Sequence, residues 1–133
     1  MWVRPFVDTN VLLYLLSDDV AKAERAEALL RGRAVISVQV LNEFANVARR
    51  KLQLGWPEVE QALVDVRRFC EVRPLTLETH ERGIALAARY QLSVYDAMIV
   101  AAAVEAGCAT LASEDFSAGQ RLDGRVTVRN PFA

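Results

Sequence analysis

The sequence has few of the residues that build histidine-based metal sites and nucleophilic catalytic pairs. It holds one histidine, His80, and two isolated cysteines, Cys70 and Cys108, without a CxxC spacing. A single histidine argues against a histidine-based metal site and against a Ser–His or Cys–His pair. Two such cysteines are a weak signal for a disulfide or a zinc site, and we interpret both as small core residues.

Long apolar runs and a strong net charge are also missing. The longest stretch without a polar residue covers residues 97–104, far short of the roughly 20 residues of a membrane-spanning helix. The N-terminal segment MWVRPFVDTN lacks the basic-then-apolar layout of a secretory signal, so we expect a cytoplasmic protein without a membrane segment. A formal net charge of -1 gives no overall electrostatic preference for nucleic acid.

Arginine supplies nearly all of the positive charge, with fourteen arginines against two lysines. Basic residues cluster at residues 49–51, at 67–68, and at 121, 125 and 129. Arginine suits bidentate contacts to phosphate, but short basic runs on helices are more often solvated faces. Both interpretations stay open at this point.

The length and the hydrophobic pattern predict one α/β domain covering residues 1–133, with 53% apolar residues for a single core. Short β-branched segments alternate with longer helical patterns, which is typical of a parallel sheet flanked by helices. Residues 113–124 are polar and contain glycine, and we expect a loop there. The strands are predicted at residues 4–7, 34–37, 71–75, 108–112 and 126–129, and the helices at 11–16, 21–31, 38–54, 58–70, 79–90 and 94–106.

Four acidic residues interrupt or end apolar segments: Asp8, Glu43, Asp96 and Asp115. Carboxylates are rarely buried unless something compensates their charge. In an open parallel sheet the ligand site lies outside the carboxyl ends of the strands. Asp8 and Asp115 follow predicted strands, and Asp96 begins the most apolar helix. Their placement indicates one shared site.

Three of the four acids also have an ordinary structural explanation. Asp8 suits a helix cap, Asp96 matches a capping box with Ser93, and Asp115 suits a polar turn. Glu43 is harder to explain, because its helical position faces the core and a buried ion pair carries a desolvation penalty. The common placement of the acids, rather than any one of them, favours function.

A shared divalent cation would compensate all four charges. Several carboxylate oxygens around one hard cation describe a magnesium or manganese site. Such an ion polarises a phosphoryl oxygen and lowers the pKa of a bound water, so phosphodiester hydrolysis needs no histidine. That chemistry fits a chain with one histidine.

The segments that carry the acids resemble a known family. FVDTNVL, residues 6–12, is similar to the opening motif of the PIN-domain ribonucleases. NEF at 42–44, SVYDA at 93–97 and LASED at 111–115 resemble the segments with the remaining acids, in the same order. The resemblance extends to VRNPF at 128–132 and so covers essentially the whole chain. As a small stand-alone domain, the chain is similar to the VapC-type toxins of bacterial toxin–antitoxin pairs.

This resemblance implies a fold, an activity and partners. The implied fold is a PIN-like three-layer α/β/α sandwich around a central, mainly parallel sheet of about five strands. The implied activity is a Mg²⁺- or Mn²⁺-dependent endoribonuclease that hydrolyses RNA phosphodiester bonds. The implied partners are RNA as substrate, a second copy in a homodimer, and a cognate antitoxin protein whose segment occupies the active-site groove.

The resemblance also assigns roles by position. The catalytic metal ligands would be Asp8, Glu43, Asp96 and Asp115. Thr9 and Asn10 would support Asp8, and Ser113 would orient the site. Glu114, beside Asp115, is an auxiliary candidate.

Other functions are compatible with acids at strand ends. A phosphoacceptor receiver-like domain also uses Mg²⁺, but it needs a lysine after a late strand, and the lysines are Lys22 and Lys51. A haloacid-dehalogenase-type phosphatase would need a second aspartate where Asn10 stands. A non-catalytic interaction module would bind a partner without turnover, although all four acids are present.

Overall fold

The computed structural model describes residues 4–133. Residues 1–3, part of the segment that lacks the layout of a secretory signal, lie outside the described residues. None of the helices in the described range combines the length and the apolar character needed to cross a membrane.

Within residues 4–133, six strands, six α-helices and one 3-10 helix follow one another in nearly the predicted order. The strands are β1 Phe6–Val7, β2 Val35–Ser37, β3 Glu71–Arg73, β4 Thr110–Ala112, β5 Arg121–Leu122 and β6 Val126–Arg129. The helices are α1 Thr9–Leu13, α2 Val20–Arg31, α3 Val38–Arg50, α4 Trp56–Phe69, α5 Leu77–Tyr90 and α6 Val94–Glu105, with the 3-10 helix at Tyr14–Leu16.

The strands form one sheet in the order β3-β2-β1-β4-β6-β5, in which β1 and β4 lie in the middle. All pairs are parallel except β5 with β6. Successive strand residues point to opposite faces, yet Phe6 and Val7 are both fully buried. Helices therefore cover both faces, as in the predicted three-layer sandwich.

The sheet has one strand more than the sequence pattern predicts. β5 lies inside the segment 113–124 that reads as a loop, and it pairs antiparallel with β6, Leu122 facing Val126. Asp123 and Gly124 between them have φ values of 55° and 62°, so an Asp-Gly turn closes the hairpin. Two residues are too few to show an alternating pattern, and β5 forms because β6 provides its hydrogen-bonding partner.

Several helix boundaries also differ from the prediction. α3 ends at Arg50 rather than at residue 54. The chain turns there, because Gln53 has a left-handed φ of 55° and the Leu54 N–H donates to the Ala48 carbonyl at 3.0 Å. α5 begins two residues early, at Leu77, because the Thr76 hydroxyl caps it by accepting from the Thr79 N–H at 3.1 Å.

α6 is the most buried helix among the described residues, with residues 97–104 all buried. It packs closely on α5 at Gly83, where a Cβ atom would lie 2.6 Å from Met98 Cε. An all-apolar helix has no polar face to place in water, so it lies in the core. Its first turn, which carries Asp96, is less buried.

Candidate active site

Two neighbouring parallel strands deliver the first and last acidic segments to the same edge of the sheet. Val7 of β1 pairs with Ala112 of β4, and the Asp8 N–H donates to the Ala112 carbonyl at 3.0 Å. Asp8 and Ser113 therefore leave the sheet side by side. This is the carboxyl edge, where open parallel sheets place their ligands.

Asp8 is the most buried of the four acids, with 3% of its surface exposed. Its Oδ1 accepts from the Thr9 N–H at 2.8 Å, which caps α1. Its Oδ2 accepts from the Ser113 hydroxyl at 2.7 Å and from Asn10 Nδ2 at 3.0 Å. Burial raises the Asp8 pKa to about 6, against the hydrogen bonds from Ser113 and Thr9, and the charges of Asp96 and Asp115 raise it further.

Glu43 lies half-buried on α3, whose first turn is capped by the Ser37 hydroxyl. Gln39 Nε2 donates to Glu43 Oε1 at 3.2 Å, and the Thr9 hydroxyl donates to Glu43 Oε2 at 3.4 Å. Burial is the main reason that the Glu43 pKa is raised, and the charges of Asp96 and Asp115 add to it. Thr9 thus links Glu43 to Asp8, because its hydroxyl contacts Glu43 and its N–H contacts Asp8.

Asp96 stands in the first turn of α6, where the Ser93 hydroxyl accepts from the Asp96 N–H at 3.1 Å. The Ser93 half of the predicted capping box is therefore present. It does not account for the charge, because burial raises the Asp96 pKa and Asp115 raises it too, despite the contact with Ser93. The cap and a functional role are compatible at the same residue.

Asp115 is exposed in the segment after β4. Its N–H donates to the Ser113 hydroxyl at 3.0 Å, so one hydroxyl contacts both Asp8 and the backbone of Asp115. The carboxylate of Asp115 acts on the pKa values of the three other acids. The structure thus brings the four predicted ligands into one electrostatic cluster.

Glu114 is oriented by different partners. Its carboxylate accepts from the Tyr14 hydroxyl at 2.7 Å and lies 3.5 Å from Lys22 Nζ. Its N–H donates to Asn10 Oδ1 at 3.1 Å. Asn10 therefore supports Asp8 with its amide nitrogen and Glu114 with its amide oxygen.

The sequence does not single out three contributors to this region: Gln39, Tyr14 and Lys22. Gln39 has a local signal, since it precedes Glu43 by four residues on one helix face. Tyr14 and Lys22 reach Glu114 from 100 and 92 residues away in the chain. No local pattern predicts such contacts.

The donor chemistry of the cluster fits a hard divalent cation. The charges that act most on the pKa values of Asp8, Glu43 and Asp96 are other carboxylates. Elsewhere in residues 4–133, lysine and arginine side chains form ion pairs with Glu71, Glu105, Glu114 and Asp123. In the part of the chain that is described, no three Asp, Glu, His or Cys side chains are grouped tightly enough to hold a metal ion. Magnesium keeps several waters and takes few direct carboxylates, which suits a loose set of acids.

Two of the arginine clusters have internal contacts. Arg49 lies 4.4 Å from the centre of the Trp56 ring and donates to the Leu54 carbonyl at 2.8 Å. Arg67 Nε donates to the Leu63 carbonyl at 3.3 Å. Arg49 thus joins the end of α3 to the start of α4, and Arg67 contacts its own helix, which favours the structural interpretation at these positions.

An apolar cavity of about 400 Å³ lies apart from the acids, between the 3-10 helix, α2, α3 and α4. None of the four acids lines it. Phe44 of the cavity wall directly follows Glu43 on α3, so the cavity and the acidic cluster share this helix. Its apolar lining consists of Leu15, Leu16, Leu30, Phe44, Ala62, Val66 and Phe69, with Glu27, Arg31 and Asp65 at its polar positions.

The sheet order and the acidic carboxyl edge define an α/β fold with a strand-end site. The sequence model of the PIN domain matches residues 6–119, and the chain belongs to the PIN domain family. The family membership expected from the four motifs is confirmed. No curated protein matches the chain by sequence.

Several solved structures share the fold. A toxin–antitoxin complex from Klebsiella pneumoniae contains a chain that is 24% identical, with a TM-score of 0.72 over 96% of this chain and 97% of that one. Mycobacterium tuberculosis VapC20, a toxin that cleaves the sarcin–ricin loop, is 20% identical, with a TM-score of 0.63 over 83% and 90%. DNA-bound VapBC from Salmonella typhimurium is 19% identical, with a TM-score of 0.68 over 97% and 98%.

Proposed function

We propose that this PIN-domain protein is a Mg²⁺- or Mn²⁺-dependent endoribonuclease that hydrolyses RNA phosphodiester bonds. The cluster of Asp8, Glu43, Asp96 and Asp115 at the carboxyl edge carries this proposal. Burial and mutual repulsion raise the pKa values of Asp8, Glu43 and Asp96. Perturbed acids gathered in one place are typical of functional sites.

The four acids would hold the cation, directly or through water. Asp8 is fixed in orientation by three donors, from Thr9, Asn10 and Ser113. Gln39 and Thr9 hold Glu43 in the same way. When bound, the cation supplies polarisation of a phosphoryl oxygen and a lowered pKa of a coordinated water. The support of ligands by surrounding hydrogen bonds is a general feature of metal sites.

Asp96→Asn tests this function. Asparagine keeps the size of the side chain and the Ser93 cap, but it removes one carboxylate ligand. Loss of a supporting hydrogen bond alone typically costs 10–100-fold in metal affinity or activity, so we expect RNA cleavage to fall by at least about 100-fold. Cleavage of a structured RNA is measured with magnesium, with manganese and with EDTA.

Asp18→Asn is the matched control, because Asp18 is an exposed acid in the bend before α2 and the change in charge is identical. We expect it to cleave like the parent. Full activity of Asp96→Asn with magnesium would remove Asp96 from the site. RNA or protein binding without any turnover by the parent would instead favour the non-catalytic interaction module. The family match argues against a receiver-like function, which needs a lysine after a late strand. Lys22, on the early helix α2, is instead engaged by Glu114.

We further propose that an antitoxin protein inhibits the enzyme. Two of the structures that share this fold are complexes that contain toxin and antitoxin components. As the resemblance implies, one segment of the antitoxin would occupy the active-site groove. We assign an apolar anchor of the same protein to the cavity between α2, α3 and α4, because the exposed wall residue Phe69 and the aliphatic lining of this cavity offer an apolar anchor site. A homodimer and a cytoplasmic location stay predictions.

The antitoxin proposal is tested with the protein product of any short reading frame that adjoins the gene for this chain. That protein should form a complex with the parent and abolish its RNA cleavage. Phe69→Glu should weaken the complex by at least about 30-fold, which corresponds to the threshold of a binding hot spot. Leu77→Glu is the control, since Leu77 is exposed outside the cavity. Equal binding by both variants would exclude the cavity as the docking site.

A further inference from the structure

The three residues that follow β4, Ser113–Asp115, make contacts on two different sides of the chain. Ser113 and Asp115 belong to the acidic cluster, because the Ser113 hydroxyl donates to Asp8 at 2.7 Å and accepts from the Asp115 N–H at 3.0 Å. Glu114 lies between them, and its carboxylate contacts Tyr14 and Lys22 instead. The segment is thus held from two sides.

Three polar contacts fix Glu114. The Tyr14 hydroxyl donates to Glu114 Oε1 at 2.7 Å, and Lys22 Nζ lies 3.5 Å from Glu114 Oε2. Lys22 Nζ also donates to the Tyr14 hydroxyl at 3.1 Å, which closes a triangle of three groups. The Glu114 N–H donates to Asn10 at 3.1 Å, so both backbone and side chain are engaged.

Aromatic packing stabilises this triangle. The rings of Tyr14 and Phe132 meet edge-to-face with centroids 4.7 Å apart. Lys22 Nζ lies 4.6 Å from the Tyr14 centroid and 5.4 Å from the Phe132 centroid. Cation–π contacts restrict the ammonium of Lys22, so it offers Glu114 a fixed rather than a mobile partner.

Asp115 needs such support because its neighbours repel it. Its carboxylate is exposed, and Asp8, Glu43 and Asp96 carry the same charge nearby. Repulsion by these like charges favours a position of the Asp115 carboxylate farther from the cluster. The contacts of Glu114 oppose that movement, because turning the segment would break a charge-assisted hydrogen bond.

We propose that Tyr14, Lys22 and Glu114 form a positioning clamp that holds the Ser113–Asp115 segment against the acidic cluster. The expected effect of the clamp on catalysis rests on the proposed nuclease function. Its expected effect on the mobility of the Ser113–Asp115 segment does not. Its members are positioning residues, because they act on the reaction by holding Asp115 in position.

Tyr14→Phe tests the clamp with the smallest change. It removes the hydroxyl that joins Glu114 to Lys22 and keeps the ring that packs on Phe132. Hydrogen exchange of the metal-free protein, followed residue by residue, should show the Asp115 amide exchanging about tenfold faster, since one hydrogen bond contributes roughly that factor.

Tyr90→Phe is the matched control. The Tyr90 hydroxyl accepts from the Asp123 N–H at 2.7 Å and anchors a different turn. Its loss should speed exchange at Asp123 and leave Asp115 unchanged. Unchanged exchange of Asp115 in Tyr14→Phe, or an equal increase in both variants, would overturn the clamp.

The catalytic effect is measured separately. Tyr14→Phe should lower kcat about tenfold and raise the half-saturating Mn²⁺ concentration, with little change in KM for RNA. Glu114→Gln keeps an oxygen for the Tyr14 hydroxyl and should retain more activity than Glu114→Ala. Full activity of Tyr14→Phe beside inactive Glu114 variants would make Glu114 a ligand and overturn the clamp. If the parent cleaves no RNA, the nuclease proposal fails, while the exchange experiment still decides the clamp.

Discussion

Two sets of acids in this molecule have opposite electrostatic surroundings. Glu71, on the edge strand β3, accepts from Arg4 Nη2 at 2.7 Å and lies 3.6 Å from Arg73 Nη1. The hydrogen bond from Arg4 is the main reason that the Glu71 pKa is lowered. Asp8, at the carboxyl end of β1, is buried beside other carboxylates, and its pKa is raised to about 6.

These opposite surroundings indicate that Glu71 contributes to folding, whereas the acidic cluster contributes to function. An ion pair at the surface is a common and weak source of stability. Burying like charges together lowers stability at neutral pH, because the charged forms are disfavoured in the folded state. Stability does not explain the acidic cluster, whereas binding of a cation would.

Titration of Asp8 should give the largest effect. Its pKa is raised in the folded state, so stability is fully present below the ordinary pKa of 3.8 and is lost as pH rises toward about 6. The Asp8→Asn variant has no carboxyl group at this position, so it does not lose stability in this way as pH rises. Between about pH 3 and pH 7.5 the unfolding free energy of the variant should gain about 3 kcal/mol relative to the parent.

Urea unfolding in EDTA at both pH values measures this change. Asparagine also places an amide beside the Asn10 amide, which lowers stability at both pH values alike. The change with pH, rather than the offset, is therefore the informative quantity. Parallel pH profiles of variant and parent would contradict the raised pKa.

Metal addition should give the next largest effect. Saturating Mn²⁺ at about pH 7.5 should raise the unfolding free energy of the parent, by roughly 2.7 kcal/mol at a concentration of about 100 times Kd. Asp96→Asn should gain much less, because one ligand is missing, and Asp18→Asn should gain as much as the parent. Equal gains in all three proteins would place the metal elsewhere.

Removal of the surface ion pair should give the smallest effect. Glu71→Gln loses the contacts with Arg4 and Arg73, both of which are partly solvent-exposed. The Glu71 pKa is lowered, so its contribution exists above the ordinary pKa of 4.5 and disappears as pH falls through the folded value. Thermal unfolding near neutral pH should show a small decrease in Tm that vanishes at high salt. Glu81→Gln, at an exposed position on α5, serves as the control, and an effect independent of salt would contradict the ion pair.

Much of the fold follows from local chemistry. The predicted order of strands and helices matches the structure except for β5, because hydrophobic period and capping residues act within a few positions. Ser93, for example, caps α6 where the sequence indicates. β5 escapes prediction because two residues carry no period, and its pairing depends on β6.

The candidate site also has some features that the local sequence predicts and others that depend on tertiary packing. Asp8, Glu43, Asp96 and Asp115 stand out because each breaks a local hydrophobic pattern or ends a strand. The raised pKa values of Asp8, Glu43 and Asp96 are not visible in the local sequence, since burial and the distance to other charges arise only when β1, β4, α3 and α6 pack together. Their roles as metal ligands stay predictions.

The sequence by itself determined the α/β class, the PIN family and four unusual acids, since these depend on residue type and spacing along the chain. Only the tertiary structure decided that Asp8 is buried with a pKa near 6, and that Glu114 contacts Tyr14 and Lys22. Those properties depend on solvent exclusion and on contacts between residues about 100 positions apart. Neither has a signature within a short stretch of sequence.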